Sequence, residues 1–236
     1  MLSLICMEHK EVKQQNSLKI FWKWIWTSDS WWSYLVFLLI VFIIIKFIFL
    51  PGLGLIFGTS LPLAIVESSS MDHHSLEYCL KAEQSTKNGI TIVTCTQWSN
   101  NDYEICGKNF ESSSYFNIDN YWQTCGEWYE NKNITREQFE SFKFKNGFRK
   151  GDIMIIFGKK DINLGDVIIF NGGRNNPIIH RVISLSPLQT KGDHNGDQLA
   201  EEKSINNNQI VGVAVGRIPY LGWVKLFFAE MFNKIF

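Results

Sequence analysis

Residues 31–50, WWSYLVFLLIVFIIIKFIFL, form an almost wholly apolar run with a single charge, Lys46. A helix of about 20 such residues matches the hydrocarbon thickness of a bilayer. A helix apolar on every side must otherwise be buried in a large core. The run predicts a spanning helix. Trp31, Trp32 and Tyr34 at its start are the amphipathic rings that settle at headgroup level, and Lys46 is expected to snorkel outward from the far end.

Lys10, Lys13, Lys19 and Lys23 precede the run, and after it no lysine or arginine occurs until Lys81. The positive-inside rule then places the N-terminus in the cytoplasm and the bulk of the chain outside. The run is too long and begins too late for a cleaved signal peptide. The next stretch, PGLGLIFGTSLPLAIV, is interrupted by Gly52, Gly54, Gly58 and Pro62. It is read as a surface-hugging connection ending in a strand, LPLAIV, that leads to Ser70. Roughly 170 residues remain beyond the span, enough for one well-packed domain. With 23 basic and 23 acidic residues the net charge is zero, so the broad basic surface of a nucleic-acid binder is missing.

Cys6 is alone on the predicted cytoplasmic side, while Cys79, Cys95, Cys106 and Cys125 fall in the exported part. In an oxidising compartment those four predict two disulfides, in any of three pairings. They contain no C-x-x-C spacing of the zinc-site kind.

Between Met71 and Phe148 the chain is polar and rich in Asn, Ser and aromatic residues, with one predicted strand, ITIVTC. It reads as an inserted subdomain. Its TREQFESF stretch offers Thr135 and Gln138 as a capping box, with Gly147 as a stop beyond the helix. NIT at Asn133 is either a glycan acceptor in an exported chain or a loop that happens to carry the triplet. The second half is strand-rich. KGDIMIIF and LGDVIIF each pair a Gly-Asp turn with a β-branched run, and Gly151 and Gly165 suit turns that need positive φ. IIHRVISL, LQTKGD and IVGVAVGRI add three short strands, which together imply a mainly antiparallel β domain. Neither Gly-Asp turn opens a helix, so neither is a phosphate loop. The last segment, WVKLFFAEMFNKIF, spaces Val224, Phe228, Met231 and Ile235 along one helix face. That face suits an interfacial helix on the outer leaflet or a helix docked on the protein.

Four short boxes then occur in order. ESSSMDH resembles the S-x-S-M box of type I signal peptidases, GFRKGDIMIIF and LGDVIIF resemble their strand boxes, IIHRVISL their H-R-V box, and TKGDHN their acidic box. The resemblance runs from about residue 31 to residue 223, apart from the insert. His180 stands where bacterial enzymes carry a lysine, which makes the chain similar to the archaeal and endoplasmic-reticulum branch.

The resemblance implies Ser70 as nucleophile, a hydroxyl that stays a poor nucleophile until a base takes its proton. It implies Ser68 as an oxyanion-hole donor beside the Ser70 N–H; one such donor is worth about 100 to 1,000-fold in rate. Ser69 replaces a glycine of the commoner pattern and His73 a proline. His180 is the implied general base, since an imidazole titrates near pH 6.5 when unperturbed. His73 and His74 are competitors, disfavoured because residues so close to Ser70 in sequence do not readily converge on its hydroxyl. The acid that orients the base lies between Asp193 and Asp197. Asp197 is expected in that role, with Asp193 supporting the turn and its polar network. DHNGD echoes a calcium loop, but Gln198 occupies the glycine position and no glutamate closes it, so no metal and no cofactor are expected.

The expected organisation is a cytoplasmic segment 1–30, a transmembrane helix 31–50, a membrane-proximal segment with the nucleophile strand 51–71, an inserted Cys/aromatic-rich subdomain 72–148, a catalytic β domain 149–220 and an amphipathic segment 221–236. The expected function is a single-pass, membrane-bound serine endopeptidase that removes signal peptides from secretory preproteins after small residues. The lipid bilayer and the translocation machinery are its expected surroundings, and nucleic acid is not a partner. Two rival readings are a Ser-Lys self-cleaving relative with Lys191 or Lys150 as base, and a non-catalytic membrane protein that binds a partner through its insert.

Overall fold

A computed structural model describes residues 17–87, 90–158, 161–174, 176–227 and 231. They fall into two units divided between Gly52 and Leu53. In the first, α1 (Ser17–Thr27) and α2 (Trp31–Ile44) meet at a short joint, where the Ser33 hydroxyl reaches the Ser28 and Ser30 carbonyls. A π-helical turn (Ile45–Phe49) follows α2, and α3 (Leu50–Phe57) continues it, so helical residues run from Trp31 to Phe57. This corrects the expected end at Leu50 and the broken connection beyond it. The widened turn ends at Phe49, two residues before Pro51, whose ring and missing N–H would otherwise disrupt the regular ladder. Gly58, at φ 64°, stops the run instead. Among the described residues this is the one helix long and apolar enough to cross a membrane. Its greater length puts Lys46 near the middle rather than the far end, with Nζ 5.6 Å from the ring centroids of Phe42 and Phe47.

The second unit is mainly antiparallel β, as expected. Nine strands are described: β1 (Leu63–Ile65), β2 (Leu76–Lys87), β3 (Ile90–Ile105), β4 (Lys108–Phe110), β5 (Ile153–Phe157), β6 (Val167–Phe170), β7 (Ile178–Leu185), β8 (Leu188–Lys191) and β9 (Ile210–Ile218). Six form one sheet in the order β1-β5-β9-β6-β7-β8, and β2-β3-β4 form another. Every described pairing is antiparallel. Successive side chains of a strand point to opposite faces. In β6, Val167 and Ile169 therefore join the cluster of Val66, Met71, Phe148 and Met154, while Ile168 and Phe170 join Ile178, Val182 and Val213. The Gly-Asp turns adopt the expected conformation, with Gly151 at φ 89° and Gly165 at φ 84°. The Asp152 carboxylate accepts the Arg149 and Tyr220 N–H groups, and Asp166 accepts that of Asn163.

Residues 72–148 contain more regular structure than the one expected strand, namely β2 to β4 and α4 (Ile118–Glu130), together with the expected helix, α5 (Arg136–Ser141). The capping box forms, with Thr135 and Gln138 each bonding the other's backbone. The helix stops at Ser141, however, because Phe142 turns extended, and Gly147 lies beyond it. Asn133 is exposed in the turn between α4 and α5. The disulfides are Cys79–Cys95, across β2 and β3, and Cys106–Cys125, from the end of β3 to α4.

Near the C-terminus one helical turn is described at 223–227. There Leu226 is buried and Val224 exposed, which differs from the expected face, and Phe228 and Ile235 lie outside the described residues. Cys6, Lys10 and Lys13 also lie outside them.

Candidate active site

Ser70 follows the short edge strand β1, whose register pairs Ile65 with Ile153 of β5. Two backbone bonds, Val66 N to Asp152 O and Gly151 N to Val66 O, carry that contact to the edge of the serine turn. Met71 then plugs the core at 1% exposure, and its carbonyl accepts the Phe148 N–H. The Ser70 carbonyl accepts the His194 N–H at 2.9 Å. Ser70 thus sits on a turn pinned from both sides, with no helix starting at it.

His180 lies on β7 opposite Ile168 and is 3% exposed. Its Nε2 is 2.8 Å from Ser70 Oγ, and its Nδ1 is 2.5 Å from Glu202 Oε1. Glu202 is fully buried. Thr190 Oγ1 donates to its Oε1 at 3.0 Å and the Leu199 N–H to its Oε2 at 2.7 Å, so the carboxylate is held on three sides. Ser68 Oγ is 3.1 Å from Ser70 Oγ. Ser68, Ser70 and His180 face a groove of about 670 Å³ whose walls include Leu61, Leu63, Ile65, Ile169 and Ile179.

The carboxylate against His180 is therefore Glu202, neither Asp197 nor Asp193. Asp197 is exposed and accepts from Trp128 Nε1 at 3.2 Å. Asp193 is fully buried and turned the other way, because His180 and Arg181 are strand neighbours on opposite faces. It takes two bonds from Arg181, Nε to Oδ1 at 2.9 Å and Nη2 to Oδ2 at 2.7 Å, with a third from the Tyr129 hydroxyl at 3.1 Å. Burial pushes the Asp193 carboxyl up, but the Arg181 charge and the bonds from His73 and Arg181 outweigh it and hold it well below the usual carboxylate range. Burial pushes the Tyr121 and Tyr129 hydroxyls well up, so both stay protonated donors.

Neither histidine near Ser70 in sequence points at it. His73 stacks on Tyr121 at 3.8 Å and places Nε2 3.3 Å from Asp193 Oδ2. Burial lowers its pKa despite that carboxylate, and its buried Nδ1 has no hydrogen-bond partner among the described residues, as a neutral ring donating through Nε2 allows. His74 bridges Asp72 and Arg149. Lys191 donates to the Gly192 carbonyl at 3.1 Å between the rings of Trp128 and Tyr129, and Lys150 lies over Trp223. Neither lysine is the partner of Ser70.

Sequence reasoning missed Glu202, Thr190 and Gly192. No spacing rule marks a glutamate in the LAEEK turn, and Gly192 passed as part of a turn. Its role is contact: a Cβ there would lie 2.7 Å from the Ser70 carbonyl and 2.8 Å from His180 Nε2.

No protein-family model matches the chain. It is similar to the signal peptidase complex catalytic subunit SEC11 of Chaetomium globosum, 30% identical over 98 residues that cover 35% of this chain and 57% of the relative. The SEC11 of Plasmodium falciparum is 30% identical over 97 residues, covering 36% of this chain and 53% of the relative. That of Pyrenophora tritici-repentis is 32% identical over 98 residues, again 35% and 57%. The chain thus spans little more than half the length of these relatives. Over that stretch it is similar to signal peptidase complex catalytic subunits, in keeping with the type I signal peptidases that its boxes resemble.

Proposed function

We propose that the chain is a membrane-anchored serine endopeptidase that removes signal peptides from exported preproteins after small residues. The observation that carries this reading is the continuous line from Ser70 Oγ through His180 to Glu202 at the mouth of an apolar groove. Ser70 Oγ attacks the scissile carbonyl carbon as His180 Nε2 takes its proton. Glu202 holds the Nδ1–H and steadies the imidazolium. The oxyanion forms beside the Ser70 N–H and the Ser68 hydroxyl, which favours charge that exists only in the transition state. His180 then passes the proton to the leaving amine, and water releases the acyl group by the same route in reverse. Asp193 has no part in these transfers; it supports the Gly192–His194 turn.

Helix Trp31–Phe57 is the anchor in this reading, with the N-terminus cytoplasmic and the residues after Phe57 outside. The two disulfides suit the oxidising side of such a membrane. An anchored site meets a substrate tethered in the same bilayer, which raises effective concentration without tight binding. Partner subunits are part of the proposal, since the named relatives are subunits of a complex.

The test is cleavage of a defined preprotein by the purified chain in detergent. Ser70→Ala abolishes processing while membrane insertion and folding persist; a mutant that keeps a substantial fraction of the wild-type rate overturns the reading. An impermeant thiol reagent labels an engineered cysteine beside Ser70 in sealed, right-side-out vesicles and spares Cys6; the reverse pattern overturns the topology.

A further inference from the structure

Thr190 to His194 touch all three members of the Ser70, His180 and Glu202 line. Thr190 Oγ1 bonds Glu202, the Gly192 backbone packs against His180 Nε2, and His194 N–H bonds the Ser70 carbonyl. One side of this stretch is held by β7, where Arg181 pairs with Lys191. The other side is held by residues 72–148. The Cys106 N–H donates to the His194 carbonyl at 2.8 Å, and Cys106 Sγ lies 3.3 Å from the Asp193 carbonyl. The Tyr121 hydroxyl donates to that same carbonyl at 2.8 Å, and the Tyr129 hydroxyl to the Asp193 carboxylate. Trp128 and Tyr129 cage the Lys191 ammonium at 4.9 and 5.1 Å. Tyr121, Trp128 and Tyr129 all come from α4, and Cys106–Cys125 ties α4 to the end of β3.

We propose that the segment between Met71 and Phe148 is a built-in positioning element of the Ser70–His180 site, acting through Tyr121, Tyr129 and the Cys106–Cys125 crosslink on the Gly192–His194 backbone. The inference rests on the reading of Ser70, His180 and Glu202 as the catalytic line. Tyr121 and Tyr129 are buried and their hydroxyls meet the Gly192–His194 turn rather than solvent. The second disulfide, Cys79–Cys95, sits on the β2–β3 hairpin and touches none of these groups, which makes it an internal control.

The experiment uses the full chain in detergent and two readouts, kcat and KM for preprotein cleavage and the rate at which a fluorophosphonate labels Ser70. In the labelling the Ser70 oxygen bonds phosphorus, fluoride leaves and His180 takes the proton. Tyr121→Phe, and separately the double variant Cys106→Ser/Cys125→Ser, are expected to lower kcat and the labelling rate by about 10 to 100-fold with KM within about twofold, the cost of small misplacement of reacting groups. Cys79→Ser/Cys95→Ser is expected to stay within about twofold of wild type in both. Thermal unfolding fixes an assay temperature at which every variant is folded. Wild-type rates in folded Cys106→Ser/Cys125→Ser and Tyr121→Phe overturn the proposal, and so does an equal loss on removing Cys79–Cys95. If wild type labels fast but does not cleave preprotein, the substrate reading fails, and the labelling rates of the variants still decide the positioning role. If Ser70 does not label at all, both readings fall.

Discussion

Glu202 Oε1 meets His180 Nδ1 at 2.5 Å, and the same oxygen accepts the Thr190 hydroxyl. Because Oε2 is also occupied, by the Leu199 N–H, the carboxylate cannot swing away from the ring without breaking three bonds. That fixes Nδ1 as the protonated nitrogen and leaves the Nε2 lone pair aimed at Ser70 Oγ, the tautomer a general base needs.

Glu202→Gln is accordingly expected to lower kcat by about 1,000 to 10,000-fold, since a neutral amide neither enforces the tautomer nor steadies the imidazolium. Asp197→Asn, exposed and bonded to the Gln198 backbone and the Trp128 indole N–H rather than to His180, should stay close to wild type. Steady-state kinetics of the two variants side by side decide the assignment; a large loss in Asp197→Asn with an active Glu202→Gln reverses it.

Gly192→Ala tests the close approach behind the reacting pair. Its methyl group would meet Asn195 Nδ2 and the Ser70 carbonyl at 2.7 Å and His180 Nε2 at 2.8 Å, so the ring or the serine turn has to move. Displacement of this kind costs about 100-fold in rate. Wild-type kcat in a folded Gly192→Ala variant would show that the contact does not constrain the geometry.

Much of this architecture is legible in the sequence because it is written in local signals. The β-branched runs after Gly151 and Gly165 became β5 and β6, and Thr135 with Gln138 formed the capping box, since turn chemistry and strand alternation act over a few residues. Glu202 was hidden for the opposite reason. It reaches His180 from 22 positions away through a short 3₁₀ turn, and a buried glutamate has no periodic signature before its partner is known. Asp193 misled in part: KGD marks a turn at the site, but strand alternation sends the carboxylate to Arg181 on the far face. Gly52 and Gly54 misled by the same logic of local rules, because helical residues continue through both to Phe57.

Asp193→Asn is a stability variant in this structure. It leaves the fully buried Arg181 guanidinium without its counter-charge, a loss of about 3 to 5 kcal/mol. The folded-state pKa of Asp193 is depressed, so its stabilisation is present above the ordinary carboxylate value of about 4 and is lost as pH falls below it. Denaturant titrations at pH 7 and pH 3 should show a wide gap between wild type and variant at the higher pH and a narrower one at the lower. A gap that does not change with pH would detach the charge of Asp193 from the fold.

At Lys191 the buried charge costs stability, where at Asp193 it adds to it. Burial pulls its pKa down to about 8, against the raising influence of Asp193, Glu202 and Asp197. Below pH 8 both folded and unfolded chains hold the proton, and the cost of burying the charge is fully present. Between about 8 and the unfolded value near 10.4 the native chain sheds the proton while the unfolded chain keeps it, so stability rises with pH. Above that value the two states match again and the rise ends. From pH 7 to pH 9.5 the contribution is about 2 kcal/mol in favour of the folded state, a slope that Lys191→Met should abolish because the thioether does not titrate. Urea unfolding of both proteins at the two pH values measures the difference directly. The expected result is wild type gaining on the variant as pH rises; parallel curves, or a wild type that loses ground, would mean that the ammonium is better solvated than its cage of Trp128 and Tyr129 implies.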